Sequence, residues 1–106
     1  MEVSFNDWKK LDIRIGEIIE VSDHPRADKL LVFRVDVGEE KTIVAGIKNN
    51  YDKSELIGRK VVVFCNLAQR ELRGIKSEGM ILAAVDGEDV CLLQPDNDIK
   101  NGAKIE

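Results

Sequence analysis

Five cationic side chains fall on two short polar stretches: Arg26 and Lys29 within residues 22–29, and Arg70, Arg73 and Lys76 within residues 67–78. Guanidinium and ammonium groups clustered this way bind phosphates, arginine through a planar fork and lysine as a point charge. Asn66, Gln69 and Ser77 stand beside the second group and offer amide and hydroxyl partners for phosphate and ribose oxygens. Nothing comparable points to catalysis. The chain has no Gly-rich phosphate loop and no nucleophile elbow. Its one histidine, His24, has no partner at ligand or triad spacing, so no enzymatic activity, no metal and no cofactor is expected. Cys65 and Cys91 match no zinc or redox spacing, and both are expected as reduced, buried thiols.

The charge distribution sharpens the reading. Sixteen basic against 20 acidic residues give a net charge of −4, which argues against a protein that coats DNA. Yet residues 57–80 carry five basic and two acidic side chains, between a segment with nine and twelve and another with two and six. A local positive region on an acidic chain fixes where a polyanion docks and repels it elsewhere. With 43% hydrophobic and 34% charged residues, 106 residues suffice for one packed domain and exclude wholesale disorder. The longest apolar runs, residues 61–65 and 80–85, fall far short of the ~20 a membrane span needs. No basic stretch followed by an apolar segment opens the sequence. A cytoplasmic protein without membrane contact is therefore expected.

The elements that must position these residues are mostly strands. Phe5, Trp8 and Leu11 recur on one face of a short leading helix, residues 4–11, which Ser4 can cap with Asp7 three positions on. Residues 12–21 read as a first strand, whose alternation slips at Gly16 and suggests a bulge there. Residues 31–37 and 42–47 form the second and third strands around a turn at 38–41. Asp52 and Glu55 resemble a capping box for a single helical turn that Gly58 ends. Residues 60–66 and 79–85 make the fourth and fifth strands, the fourth buried on both faces, with residues 67–78 a long polar loop between them. Shorter strands follow at 90–93 and 103–105.

Three strands, a short helix and two strands fit an all-β OB-fold, a five-stranded Greek-key barrel, here with an N-terminal helix and a C-terminal strand extension. One domain over residues 1–106 is expected, with a barrel at 12–85 and the extension at 86–106. In that fold the connections after strands 1 and 4 flank the ligand face, and here they are the two cationic stretches. Single-strand binders stack bases on aromatic rings. Phe33 and Phe64 are expected in the core, which leaves only Tyr51 as a free ring, so the basic groups favour the backbone of a structured RNA.

Several segments carry a family resemblance: DIRIG at 12–16, HPRADKL at 24–30, VAGI at 44–47, ELIGRKV at 55–61 and RGIKSEGM at 73–80, with LLQPD at 92–96 and NGAKI at 101–105. Together they resemble the tRNA-binding domain family, which includes free-standing dimeric proteins and the C-terminal appendage of many methionyl-tRNA synthetases. The resemblance implies an OB-fold that binds the outer corner of the L-shaped tRNA, with Lys29, Asn66, Arg70, Arg73, Lys76, Ser77 and Met80 facing the RNA. The family pattern has Pro-Arg-Lys where this chain has Gln69-Arg70-Glu71, so an acid subtracts charge from that surface.

The ends suggest assembly. An apolar stripe of Phe5, Trp8 and Leu11, with Val90, Leu92 and Leu93 near the other end, is expected to form a twofold homodimer interface. Three roles follow: a free-standing tRNA-binding accessory protein assisting methionyl-tRNA synthetase, a subunit docked on a separate synthetase chain, or a protein-binding role. The last rests on resemblance to the CsaA export chaperones at residues 10–14 and 92–96.

Overall fold

Strand β1, Ile13–Asp23, organises the molecule by serving two neighbours in turn. In the computed structural model, which describes residues 1–106, its first half pairs antiparallel with β4 (Lys60–Phe64), from Ile13 opposite Phe64 to Glu17 opposite Lys60. Its second half pairs with β2 (Leu31–Asp36), from Glu17 opposite Asp36 to Asp23 opposite Leu31. A strand shared diagonally in this way lets a short sheet curl. β3 (Glu40–Ala45) follows β2 as a hairpin, and β7 (Met80–Ile81) lies beyond β4, giving the order β3-β2-β1-β4-β7. The helical turn α2 (Lys53–Leu56) connects β3 to β4, with the Glu55 carboxylate accepting from the Asp52 N–H at 2.8 Å. This is the expected OB-fold: a five-stranded, nearly closed antiparallel barrel with a helix between its third and fourth strands.

The seam that closes the barrel is laced largely by side chains. Ser77 Oγ accepts from the Val44 N–H at 3.0 Å and donates to the Gly79 carbonyl at 3.0 Å. The Glu78 carboxylate accepts from the Thr42 N–H at 2.8 Å, and the Glu78 N–H donates to the Thr42 carbonyl at 2.8 Å. β3 and the segment before β7 are thereby joined without a regular ladder.

Inside, Phe33, Ile18, Leu31, Ile43, Leu56, Val35, Val37, Val61 and Val63 are fully buried. Gly16 has a different role from the one its spacing suggested. A Cβ there would stand 2.6 Å from Val35 Cγ1 and 2.8 Å from Val37 Cγ1, so the absence of a side chain is what lets β1 cross the core. The register shift lies later, between Ile18 and Glu20. Ile13 and Ile15 are buried on the opposite face to Gly16, since they pair with Phe64 and Val62 while Gly16 pairs with Val61. Phe64, expected in the core, is only half-buried there. β4 is accordingly buried fully on its inner face alone.

The ends also depart from expectation. α1 is a single turn, Phe5–Trp8, whose Asp7 N–H donates to Ser4 Oγ at 3.1 Å. Residues expected as one strand at 79–85 divide: β7 ends at Ile81, and β8 (Ala83–Asp86) turns away to pair with β9 (Asp89–Leu92). The C-terminal segment returns to β1, with the Ile15 N–H donating to the Ala103 carbonyl and the Ile105 N–H to the Ile13 carbonyl, both at 2.8 Å. Cys65 is buried, and burial pushes its thiol pKa up, whereas Cys91 is exposed rather than buried; both are free. No helix is long and apolar enough to cross a membrane.

Candidate nucleic-acid interface

Two connections leave the same end of the barrel. The first, residues 24–30, is folded back on itself by a bond from the His24 N–H to the Leu30 carbonyl at 3.1 Å. His24 itself is buried, at 5% exposure. Its Nδ1 accepts from the Arg26 N–H at 3.0 Å, and its Nε2 lies 2.9 Å from the Leu72 carbonyl. A carbonyl can only accept, so Nε2 carries the proton and the ring is the neutral Nε2–H tautomer.

The second connection is not the open loop its polarity suggested. β5 (Arg70–Leu72) and β6 (Ile75–Ser77) form a small hairpin, with Leu72 opposite Ile75. Its tip is Arg73-Gly74, with φ of 53° and 91°. Two successive left-handed residues are what a two-residue type I′ turn requires. Gly74 adopts that conformation freely, while for Arg73 it costs about 1–2 kcal/mol.

Arg26, Lys29 and Arg73 come together around one cleft of about 400 Å³, lined also by Ala27, Asp28 and Leu30. The Arg26 guanidinium lies over the hairpin tip, its Nη1 3.0 Å from where a Cβ on Gly74 would stand. Arg70 and Met80 border a separate, smaller recess of about 50 Å³ with Leu67 and Ala68, and Met80 is 41% exposed. The hairpin register puts Arg70 opposite Ser77 and Glu71 opposite Lys76, so Lys76 emerges on the face opposite Arg70. The four cations expected on one rim therefore divide. Lys29 and Arg73 share the cleft, Arg70 stands at the adjoining recess, and Lys76 takes the reverse side beside Glu71.

Asn66 and Ser77 both make hydrogen bonds that serve the fold. Asn66 Oδ1 accepts from the Asp12 N–H and its Nδ2 donates to the Lys10 carbonyl, each at 2.8 Å, which clips the end of α1's segment to the end of β4. Ser77 is buried in the barrel seam with both of its hydrogen-bonding directions used. Arg26 is the residue that the family pattern did not carry over. Its signal in the sequence was only its place in the same turn-rich stretch as Lys29.

Charge pairing separates this site from the rest of the surface. Arg26, Lys29, Arg70, Arg73 and Lys76 make no ion pair, whereas seven of the other eleven basic side chains do. Lys53 and Lys48 hold Asp23 at 3.1 and 3.3 Å, and their hydrogen bonds lower its pKa. On the sheet face, Arg34 is flanked by Glu40 and Glu20, whose charges raise its pKa. Cations without a carboxylate partner keep their charge and hydrogen bonds free for an incoming anion. On the face of β2 and β3, which OB-folds use for ligands, Arg34 is thus already held by carboxylates.

No stacking platform accompanies the cleft. Tyr51, the ring expected to be free, packs against the core, its hydroxyl accepting from the Leu92 N–H at 3.0 Å and donating to the Val90 carbonyl at 3.4 Å. The Arg59 guanidinium covers it 5.3 Å from the ring centroid. At the other end of β1, Phe5, Trp8, Leu11 and Ile105 line an apolar groove of about 380 Å³. Phe5 is 70% exposed and Leu93 is exposed too, but Leu92 is buried in its own barrel and Val90 packs against it. The pairing of Leu92 with Ala83 turns that side chain inward, which removes it from any outward face.

The chain has many relatives. It is 58% identical over 99% of its length to the methionine–tRNA ligase of Pyrococcus abyssi, and 48% identical over 98% to that of Methanocaldococcus jannaschii. It spans only 15% and 16% of those two proteins. Among solved structures, a MetRS-related protein from Pyrococcus horikoshii superposes with a TM-score of 0.92 at 29% identity, over all of both chains. The CsaA chaperone protein of Picrophilus torridus does so with a TM-score of 0.90 at 36% identity, over 99% of this chain and 100% of its own. Residues 13–104 match the family described as "Putative tRNA binding domain", and the chain belongs to that family.

Proposed function

We propose that this chain binds tRNA through the cleft of Arg26, Lys29 and Arg73, gripping the sugar–phosphate backbone at the outer corner of the L, by shape more than by base sequence. The observation that carries the reading is the gathering of three unpaired cations from two separate connections around one cleft. The family match supports tRNA as the RNA, and the likeness to methionine–tRNA ligases supports a role in company with such an enzyme. The chain acts as a free-standing accessory that assists methionyl-tRNA synthetase, and it performs no catalysis itself. Arg70 and Met80 extend the surface at the adjoining recess, and Lys76 contributes long-range attraction from the reverse face.

A gel shift comparing tRNA with a single strand of equal length tests this. Phosphate contacts predict a preference for tRNA and a steep loss of affinity with added salt. Equal affinity for both RNAs contradicts shape recognition. Glu71→Lys is expected to tighten tRNA binding severalfold at low salt, because it removes the acid facing Lys76; an unchanged titration counts against that surface.

Pairing of two copies through Phe5, Trp8, Leu11 and Ile105 would cover the apolar groove. Light scattering at micromolar concentration is expected to give twice the 11.9 kDa chain mass, and a particle at the chain mass refutes the homodimer. The same groove and the likeness to CsaA support an alternative, protein-binding role. An unfolded peptide that binds with little salt dependence favours that alternative.

A further inference from the structure

We infer that His24 is a positioning residue for RNA binding: it clamps the first connection to the β5–β6 hairpin, so that Arg26, Lys29 and Arg73 act as one cleft. The inference rests on the reading of that cleft as the RNA site. The two segments are far apart in sequence and share no β ladder. The bond from His24 Nε2 to the Leu72 carbonyl, at 2.9 Å, is the one hydrogen bond that joins them. Leu72 directly precedes the Arg73-Gly74 tip, so the clamp holds the hairpin at the residue next to the cation it presents.

The other ring nitrogen fixes the near side. By accepting from the Arg26 N–H at 3.0 Å, Nδ1 sets the backbone from which the Arg26 side chain reaches over Gly74. A side-chain acceptor bonded to the N–H two residues on is the pattern that Asn and Asp make as an Asx-turn. Asparagine at 24 can therefore keep the turn to Arg26, yet it is too short to reach Leu72 as well. One substitution thus removes the bond between the segments and leaves the local turn in place.

The clamp is read first without RNA. Because the chain has a single histidine, one imidazole signal reports on it, and the nitrogen-15 spectrum of the wild-type ring is expected to show the Nε2–H tautomer. In His24→Asn, amides of the hairpin tip at Arg73 and Gly74 are expected to gain nanosecond mobility while the barrel strands keep theirs. Binding is then measured with unfractionated tRNA for Arg26→Ala, Arg73→Ala and the double variant, in the wild-type and His24→Asn backgrounds. In the wild type the two arginines are expected to be coupled, the double variant losing clearly less than the product of the single losses. His24→Asn is expected to weaken binding about tenfold and to make the two losses multiply independently. An Nδ1–H tautomer, an unaltered hairpin tip, or wild-type affinity and coupling in His24→Asn overturns the inference. If the wild type binds no tRNA, the RNA reading fails, and the spectra alone decide whether the clamp exists.

Discussion

Replacing Arg26 and Arg73 together with alanine is expected to weaken tRNA binding about a hundredfold near 100 mM salt. A hydrogen bond to a charged partner contributes about 1.5 kcal/mol at the low end, so losing both contacts removes roughly two decades of affinity. Each single variant also disturbs its neighbour in the cleft and loses more than about one decade by itself. Losing two phosphate contacts should also flatten the plot of log affinity against log salt by about 1.4 to 1.8 units. Both side chains are exposed and make no ion pair, so the double variant should fold and melt close to the parent. Replacing Lys48 and Lys53 together with alanine is the matched control. It also removes two positive charges, but from lysines already held by Asp23, and its effect should stay within about threefold. Equal losses in the two variants would mean that net charge, and not the cleft, governs binding.

Ser77→Ala should have its effect on stability instead. It strips the acceptor from the buried Val44 N–H and the donor from the Gly79 carbonyl, at a cost of about 1–3 kcal/mol. For a chain of this size, thermal unfolding should move down by about 5–15 °C. Below that transition, tRNA affinity should remain within about twofold of the parent. The reverse outcome, an unchanged melt with a tenfold loss of affinity, would return the hydroxyl to the RNA surface that the family pattern implied.

The contrast between the two arginines and Ser77 shows what the sequence can convey. Strands β2 and β3 and the turn between them were legible because Phe33, Val35 and Val37 alternate with polar neighbours over a run long enough to carry a period of two. The β5–β6 hairpin was not. Each of its strands has three residues, and its turn is Arg-Gly where the usual signal is Asn-Gly or Asp-Gly. The structural partners of Asn66 and Tyr51 were hidden for a related reason. Asn66 bonds to Asp12, 54 positions away, and Tyr51 to Leu92, 41 positions away, so no local pattern announces either partner. Gly16 shows the same limit, because the valines that exclude a side chain there belong to the next strand and its continuation. Of the cationic site, residue types and the two loops could be read in advance. Which cations share a cleft depended on hairpin register, and that emerges only once Glu71 is seen opposite Lys76.

Arg73 sits at a backbone angle that few side-chain-bearing residues adopt, and this bears on how the site meets its ligand. A guanidinium on a mobile coil would surrender its freedom at every encounter, and that loss would be deducted from affinity each time. Here the unfavourable geometry is absorbed once, when the chain folds, and is offset by the cohesion of the barrel. If Arg73 grips a phosphate as proposed, its backbone is already set before the encounter, and a lower entropic toll on association is expected from what looks like a local flaw.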